Sequence, residues 1–212
     1  MVVQEKDLIV VKNTKEMDIT AEYLGKKRIL FEYPRKGYGE YGKNHISKIK
    51  TGILGELAVL EYFIEFLIKE YGKIDPIKRW QILHTKVGFS YLIMIGKFDG
   101  GHEFKIGKQK PILFDVKTYH DNQVTVSQIF NGLKDDKSRP KPLNLFIDKD
   151  QNSKADIYIQ TFINMDGDII LAGFNEGLPP LATWMPNPAY AKSVPELEPM
   201  KELLNLIKRT II

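Results

Sequence analysis

Asp115 and Lys117 stand two residues apart in the stretch Pro111–Tyr119, and they are the pair in the sequence best suited to chemistry. Successive side chains of a β-strand point to opposite faces, so these two charges would lie side by side on one face of a strand. Apolar side chains such as Phe114 would occupy the other face. Burying either charge alone would be costly, so the pair needs a structural or a catalytic reason. A solvated ion pair on an edge strand is the simpler interpretation.

Two further carboxylates are placed where they could join this pair. Glu56 lies beside the apolar stripe of a predicted helix, and Asp99 ends a predicted strand just before two glycines. Sixteen residues separate Asp99 from Asp115, enough for a turn and a return strand. An ordinary glutamate near a helix start is the alternative interpretation of Glu56.

Two or three carboxylates that converge with one lysine are suited to metal-dependent hydrolysis of phosphodiester bonds. Carboxylate oxygens bind Mg²⁺ or Mn²⁺, and the metal ion acidifies a bound water. A lysine such as Lys117 can orient that water and neutralise the charge that develops on the phosphorus. The sequence therefore predicts a magnesium or manganese site that includes Asp99 and Asp115.

Positive charge is concentrated in residues 34–50, which hold five cations against one acid, Glu40. This local balance of +4 equals the net charge of the whole chain. Cations hold phosphates, and tyrosines interleaved with them can stack on bases. A solvated lysine-rich loop is the alternative. The predicted nucleic-acid contacts in this segment are Arg35, Lys36, Tyr38, Tyr41, Lys43, Lys48 and Lys50.

Length and composition narrow the class of protein. A chain of 212 residues is expected to form one domain with a real core, and 43% hydrophobic with 27% charged residues argues against extensive disorder. The absence of cysteine excludes disulfides and thiolate metal sites, and it suits a cytoplasmic protein. The first residues do not have the pattern of a signal peptide, and no apolar run is long enough to cross a membrane.

The predicted fold class is α/β, with a central mixed β-sheet flanked by helices. A long helix is predicted from Ser47 or Thr51 to Tyr71, a short helix from about Ser127, and an amphipathic helix after Pro199. Residues 34–44 and 134–154 are predicted to be loops, and the proline-rich residues 177–199 an extended covering segment. Strands are predicted at 7–11, 28–33, 80–84, 87–95, 104–106, 111–119, 155–163 and 169–174.

With these elements and motifs, the sequence resembles the PD-(D/E)XK nuclease superfamily, which includes type II restriction enzymes and archaeal Holliday-junction resolvases. The resemblance covers about residues 50–175. Phe98-Asp99 matches the first acidic motif, with phenylalanine in place of the family's proline. Asp115-Val116-Lys117 matches the acidic-x-lysine motif, and Glu56 matches the glutamate on the preceding core helix. More loosely, the whole chain resembles the small nucleases of archaeal spindle-shaped viruses.

The resemblance implies a restriction endonuclease-like core in the order αβββαβ, and a role for each matched residue. Asp99, Asp115 and the carbonyl of Val116 would bind the metal ion, Glu56 would support the metal or its water, and Lys117 would assist the attacking water. Ser127 and Gln128 would contact the DNA backbone. The implied activity is that of a Mg²⁺-dependent DNA endonuclease acting on double-stranded or branched DNA.

The resemblance also bears on domain organisation and assembly. A nuclease-like core is expected at about 47–175, with a basic arm or loop at 1–46 and, at 176–212, a proline-rich covering segment followed by the C-terminal helix. Resolvases cut a four-way junction symmetrically, so a homodimer is implied. The C-terminal helix with Ile211 and Ile212 could form the dimer contact, or it could pack on the domain's own core.

Two alternatives compete with a nuclease. A DNA-binding protein could retain the nuclease fold with little or no turnover. A nucleotide hydrolase is suggested by Gly37–Asn44, which nearly spells a phosphate-binding P-loop, with Ile112–Asp115 as the partner acidic strand. Against the hydrolase, Asn44 stands where a serine or threonine hydroxyl must bind Mg²⁺, and Tyr41 crowds a loop whose amides should face phosphates.

Overall fold

The computed structural model describes residues 2–32, 42–71, 90–91, 104–119, 123–132, 142–148, 155–182 and 189–211. Four α-helices occur within these residues: α1 (Lys15–Glu32), α2 (Gly42–Tyr71), α3 (Val126–Asn131) and α4 (Met200–Ile211). The strands within the same residues are β1 (Ile9–Val11), β2 (Ser90–Tyr91), β3 (Phe104–Ile106), β4 (Ile112–Thr118), β5 (Asn144–Asp148), β6 (Ile157–Ile163), β7 (Ile169–Glu176), β8 (Leu181–Ala182) and β9 (Ala189–Ser193).

Six of the strands form one mixed sheet in the order β1-β7-β6-β4-β3-β2. Only β4 and β6 are parallel, and the other neighbours are antiparallel. A parallel pair needs a long crossover connection, and the short helix α3 lies in the one between β4 and β6. The mixed α/β architecture predicted from the sequence is therefore confirmed.

Strand β4 lies inside this sheet, at the point where its antiparallel and parallel parts meet. The chain reaches β4 from α2 through the antiparallel strands β2 and β3, and it leaves through α3 towards β6. The described elements therefore run helix, three antiparallel strands, short helix and parallel strand, with a detour through β5 before β6.

The two faces of the sheet pack against different partners. On one face, Phe114 and Val116 of β4 pack with Ile53 and Phe63 of α2 in one hydrophobic core. The other face is covered by a second, antiparallel sheet of order β5-β9-β8, together with α3. Residues of this second core are Val124, Ile129, Leu145, Ile147, Tyr158, Phe162, Ile170 and Ala172. Strand alternation directs Asp115 and Lys117 to the face that carries this second core.

Helix α2 approaches the sheet closely at Gly55. A Cβ atom added to Gly55 would overlap the Oγ1 of Thr118 and lie 2.6 Å from the Oγ1 of Thr161. These two hydroxyls are themselves hydrogen-bonded across β4 and β6 at 2.9 Å. Only glycine lets the helix backbone approach the sheet this closely.

Several predicted element boundaries are wrong. Residues 28–32 are the end of helix α1, not a strand, and Ala21 and Leu24 of that helix are buried against α2. Packing between two helices has overridden a weak local preference. Helix α2 begins at Gly42, inside the predicted loop, since glycine is acceptable where a helix starts.

The two segments predicted to lack regular structure contain strands. Strand β5 lies in the predicted loop 134–154, and β8 and β9 lie in the predicted covering segment 177–199. These short strands pair with one another, so their backbone N–H and C=O groups form hydrogen bonds. The prolines, which lack an N–H group, lie outside the paired residues. Strand β1 pairs with β7, so the N-terminal residues also contribute to the main sheet.

Helix α4 packs on the protein's own core. Met200, Leu203 and Ile207 have at most 1% of their surface exposed and join the first hydrophobic core. The sequence predicts that the C-terminal helix either forms a dimer contact or packs on the domain's own core. These three side chains pack on the core. None of the helices in the described ranges is both long and apolar enough to cross a membrane.

Candidate functional site

Asp115 and Lys117 form a close ion pair on β4. The Nζ of Lys117 lies 2.9 Å from Oδ2 of Asp115. The side chain of Asp115 is 2% exposed, whereas that of Lys117 is 25% exposed. The carboxylate of Asp115 is thus buried, and the ammonium of Lys117 is partly exposed. Because β4 lies between β6 and β3, it is not an edge strand, so the interpretation as a solvated ion pair on an edge strand is wrong.

Two residues of β6 lie beside the pair in the sheet. Tyr158 neighbours Asp115 and Gln160 neighbours Lys117 in the parallel register, and both are almost fully buried. The Nε2 of Gln160 donates a hydrogen bond of 2.7 Å to the backbone carbonyl of Thr161. Sequence analysis did not single out Gln160. Its place between Tyr158 and Phe162 in the alternation of this strand would have identified a polar residue on a core-facing side.

A second polar contact lies on the same face of the sheet, one strand further along. Asn175 of β7 neighbours Tyr158 in the register and is 7% exposed. Its Oδ1 accepts a hydrogen bond of 2.7 Å from the Nζ of Lys192, which belongs to β9. Sequence analysis missed both residues, since the pairing of β9 over this face is a long-range feature.

Glu56 is buried on α2 and bound to an arginine. Arg28 of α1 donates to both of its carboxylate oxygens, with Nη1 to Oε1 at 2.8 Å and Nη2 to Oε2 at 2.7 Å. Glu56 is 3% exposed. A bidentate pair of this kind fixes the position of the carboxylate. Sequence analysis did not foresee Arg28 because it placed that residue on a strand.

The structure brings Asp115 and Lys117 together and ties Glu56 to Arg28, while Asp99 lies outside the described residues. In the ranges given above, no three aspartate, glutamate or histidine side chains gather closely enough to hold a metal ion. The side chain of Val116 packs in the core beside α2, as expected for the middle residue of the motif. Of the predicted metal-site residues, the structure therefore describes Glu56, Asp115 and Val116 but not Asp99.

The predicted DNA-binding residues occupy varied positions. Lys48 and Lys50 lie on α2 and not in a loop, and the Nζ of Lys50 is 2.8 Å from Oδ2 of Asp18. Lys48 is exposed. Lys43 also falls in α2, but its side chain is outside the described part of the chain, as are Arg35, Lys36, Tyr38 and Tyr41.

Ser127 and Gln128 open α3, where sequence analysis expected a helix to start. Gln128 is engaged in a capping box, since its Oε1 accepts from the backbone of Thr125 at 2.8 Å and its own N–H donates to the Oγ1 of Thr125. Ser127 is exposed and accepts a hydrogen bond from Asn131. The side chain of Gln128 thus serves the helix end, and Ser127 is the more accessible of the two.

The P-loop alternative loses an element that it requires. A phosphate-binding loop of that type follows a β-strand, and here helix α1 occupies residues 15–32. Strand β4 does contain Asp115, but Gly37–Tyr41 lie outside the described residues. The helix in place of the required strand therefore argues against a nucleotide hydrolase.

The pair on β4 and its polar neighbours on β6, β7 and β9 are the basis for any functional assignment. Comparison with protein-family models, with curated proteins and with solved structures finds no match to this chain.

Proposed function

We propose that the protein is a metal-dependent DNA endonuclease in which Asp115 and Lys117 belong to the hydrolytic site. The observation that carries the proposal is the pairing of a buried Asp115 with a partly exposed Lys117 on an interior strand, at the junction of the antiparallel and parallel parts of the sheet. The order of helix, three antiparallel strands, helix and parallel strand is the order that the PD-(D/E)XK resemblance implies. A restriction endonuclease-like core is part of the same proposal.

The carboxylate of Asp115 is a ligand of the type that a hard divalent cation prefers. Mg²⁺ is held by oxygen ligands, and one or two carboxylates suffice when phosphate oxygens and waters complete its coordination. Asp115 provides one such carboxylate, and Asp99 and the carbonyl of Val116 are the proposed additional ligands. A bound Mg²⁺ or Mn²⁺ would supply a Lewis acid and an acidified water.

The protein's own contribution is to position charge. Lys117 emerges from the sheet beside a carboxylate that is almost fully buried, so its ammonium is directed by Asp115 and remains partly accessible. In this position Lys117 orients the attacking water and stabilises negative charge on the phosphoryl oxygens. Glu56 remains a proposed support of the metal or its water, but it is fixed by Arg28 on α2, which packs on the opposite face of the sheet from Asp115 and Lys117.

DNA, either double-stranded or branched, is the proposed substrate, and the exposed Lys48 and Ser127 are proposed to contact its backbone. Contacts of this kind make binding strongly dependent on salt. A homodimer is also proposed, as the likeness to resolvases implies, and so is a cytoplasmic location, which the absence of cysteine suits. Sedimentation of the protein with and without a four-way junction tests the dimer.

A DNA-binding protein without turnover is the second candidate, and the bound state of the carboxylates favours it. Both buried acids, Asp115 and Glu56, are paired with cations, and the described residues contain no cluster of three acidic or histidine side chains. This candidate predicts salt-sensitive DNA affinity that survives the Asp115→Ala substitution and no cleavage of any substrate.

Cleavage assays separate the two candidates. Linear, supercoiled and branched DNA are incubated with Mg²⁺ or Mn²⁺ and with the wild type, Asp115→Ala or Lys117→Ala. Glu176→Ala, which removes an exposed carboxylate at the end of β7, is the matched control. The nuclease proposal expects activity in the wild type and the control alone. Cleavage that persists in both site variants contradicts the assignment.

A further inference from the structure

Lys192 points inwards from the second sheet although it is a lysine. In the antiparallel register of β5 and β9, Lys192 lies opposite Leu145, and Tyr190 lies opposite Ile147. Leu145 and Ile147 are completely buried in the second core. Directly opposed residues share a face of a sheet, so Lys192 extends from the side that covers the main sheet. Placing an ammonium on this side is unfavourable unless a polar partner stabilises it.

A neutral amide holds this ammonium. Asn175 accepts from the Nζ of Lys192 at 2.7 Å, and its Nδ2 donates to the carbonyls of Glu176 at 3.1 Å and Gly177 at 3.0 Å. These bonds fix the amide with its oxygen towards Lys192. Unlike a carboxylate, an amide orients the cation without neutralising its charge.

Lys192 differs from the lysines that form ion pairs in the described residues. Lys26, Lys50, Lys117, Lys201 and Lys208 each lie within 2.9 Å of a carboxylate oxygen. No carboxylate of the described residues forms such a pair with Lys192. Glu196 is near enough for the charge of Lys192 to lower its pKa, but that carboxylate is bound by Ser193, which is the main cause of the shift. Lys192 is also partly exposed, so its positive charge is accessible to an external anion.

The location of Lys192 relates it to the Asp115–Lys117 pair. Asp115, Tyr158 and Asn175 are successive neighbours across β4, β6 and β7 and lie on one face of the main sheet. Adjacent strands are about 4.8 Å apart, so the backbones of Asp115 and Asn175 are separated by about 10 Å. Along one strand of a duplex, about three phosphates rise over that distance, at roughly 3.4 Å each.

We propose that Lys192, oriented by Asn175, binds a phosphate of the same nucleic-acid strand, about three positions from the one at Asp115 and Lys117. This inference rests on the proposed function for the identity of the anion as nucleic acid. Lys192 is a binding residue in this account, and it takes no part in the hydrolytic step.

Binding of a fluorescently labelled DNA duplex tests the inference. Anisotropy is measured in EDTA, so that no cleavage occurs, over a series of KCl concentrations. The variants are Lys192→Met, which removes the charge, and Lys192→Arg, which keeps it. Lys26→Met is the matched control, because Lys26 is an exposed lysine paired with Glu22 on α1. Thermal melting followed by circular dichroism verifies folding, and Lys192→Gln replaces Lys192→Met if the latter does not fold.

We expect Lys192→Met to weaken binding roughly tenfold at low salt and to reduce the slope of log Kd against log salt by about 0.9, the value for one phosphate contact. Lys192→Arg and Lys26→Met should keep the wild-type slope. A purely structural role of Lys192 would change the melting temperature without changing this slope.

The outcomes separate this inference from the proposed function. An unchanged slope in the charge-removing variant overturns the role of Lys192 and leaves the nuclease proposal intact. Binding that depends on Lys192, without cleavage under Mg²⁺ or Mn²⁺, supports the phosphate contact and contradicts the nuclease. A wild-type protein that does not bind DNA overturns both.

Discussion

The ammonium of Lys117 lies 2.9 Å from the carboxylate of Asp115, on the same face of β4 and two residues along the strand. The two partners differ in exposure, with 2% of the aspartate side chain and 25% of the lysine side chain in solvent. In the proposed site, Lys117 would therefore contact the substrate while Asp115 remains fixed behind it. This relationship between a buried acid and an accessible cation supports a hydrolytic site more than a surface ion pair.

The coupling between these residues can be measured without substrate. A double-mutant cycle of Asp115→Asn and Lys117→Met should give an interaction free energy of about 1–3 kcal/mol, since each single change leaves a partner in a poorly solvated position. Urea denaturation of the wild type, the two single variants and the double variant provides the four free energies of unfolding. Additive effects of the two substitutions would show that the pair does not stabilise the fold.

Gly55 and Gly25 should respond to alanine in opposite directions. Gly55→Ala places a Cβ against the hydroxyls of Thr118 and Thr161, so α2 must move and stability should fall by about 1–3 kcal/mol. Gly25→Ala in α1 places its Cβ no closer than 3.8 Å to any neighbour and should stabilise the protein by about 0.5–1 kcal/mol.

Chemical denaturation of the two glycine variants checks this pair of predictions. The Gly25 variant is the matched control, since it makes the same substitution within a helix. Equal effects of the two changes would mean that α2 does not approach β4 and β6 as closely as described.

Arg28 should not be replaceable by lysine. The guanidinium binds both oxygens of Glu56, whereas an ammonium cannot reproduce that two-point contact. Arg28→Lys should lower the free energy of unfolding by about 1–3 kcal/mol. The same substitution at Arg209, which is exposed on α4, should change it by less than about 0.5 kcal/mol. Calorimetric melting of the two variants tests this prediction. Equal melting temperatures of Arg28→Lys and Arg209→Lys would contradict the importance of the bidentate pair.

The contact between Asp7 and Lys201 should make stability depend on pH. A hydrogen bond of 2.9 Å from Lys201 lowers the pKa of Asp7, and the same bond raises the pKa of Lys201. Because the folded pKa of Asp7 is below its unfolded value, the stabilisation is present above the unfolded pKa and is lost as the pH falls through the folded pKa. On the alkaline side, the raised pKa of Lys201 means that the contribution is lost as the pH rises through it.

Nuclear magnetic resonance titration of the Asp7 carboxyl carbon checks this linkage. The midpoint should lie below the ordinary aspartate value in the wild type and return towards that value in Lys201→Met. The difference in stability between the two proteins should shrink in acid. An Asp7 midpoint that is the same in the wild type and in Lys201→Met would contradict the coupling between these two residues.

The sequence was sufficient to predict the elements with strong local patterns. The alternation in β4 and β6, the apolar stripe of α2 and the amphipathic character of α4 each determine an element from its own residues. The pairing of Asp115 with Lys117 follows from the period of a strand, so it too could be predicted locally.

The parts that could not be predicted depend on contacts between distant segments. Helix α1 has little amphipathic pattern and is stabilised by packing on α2, so its last residues suggested a strand. Strands β8 and β9 lie among prolines, and they form because β9 pairs with β5 and β8 pairs with β9. The contacts of Glu56 with Arg28 and of Asn175 with Lys192 join residues on different elements, and no local spacing indicates them.

The most direct test of the hydrolytic site is the rate of DNA cleavage under single-turnover conditions. Saturating protein and Mn²⁺ remove differences in binding, so the rate reports on the chemical step. Lys117→Met is compared with Lys105→Met, which removes a lysine from the neighbouring strand β3 on the same face of the sheet. We predict a wild-type rate that Lys117→Met lowers by about 10²-fold or more and Lys105→Met leaves unchanged. Equal cleavage rates in the wild type and Lys117→Met, or no cleavage by the wild type, would contradict the assignment.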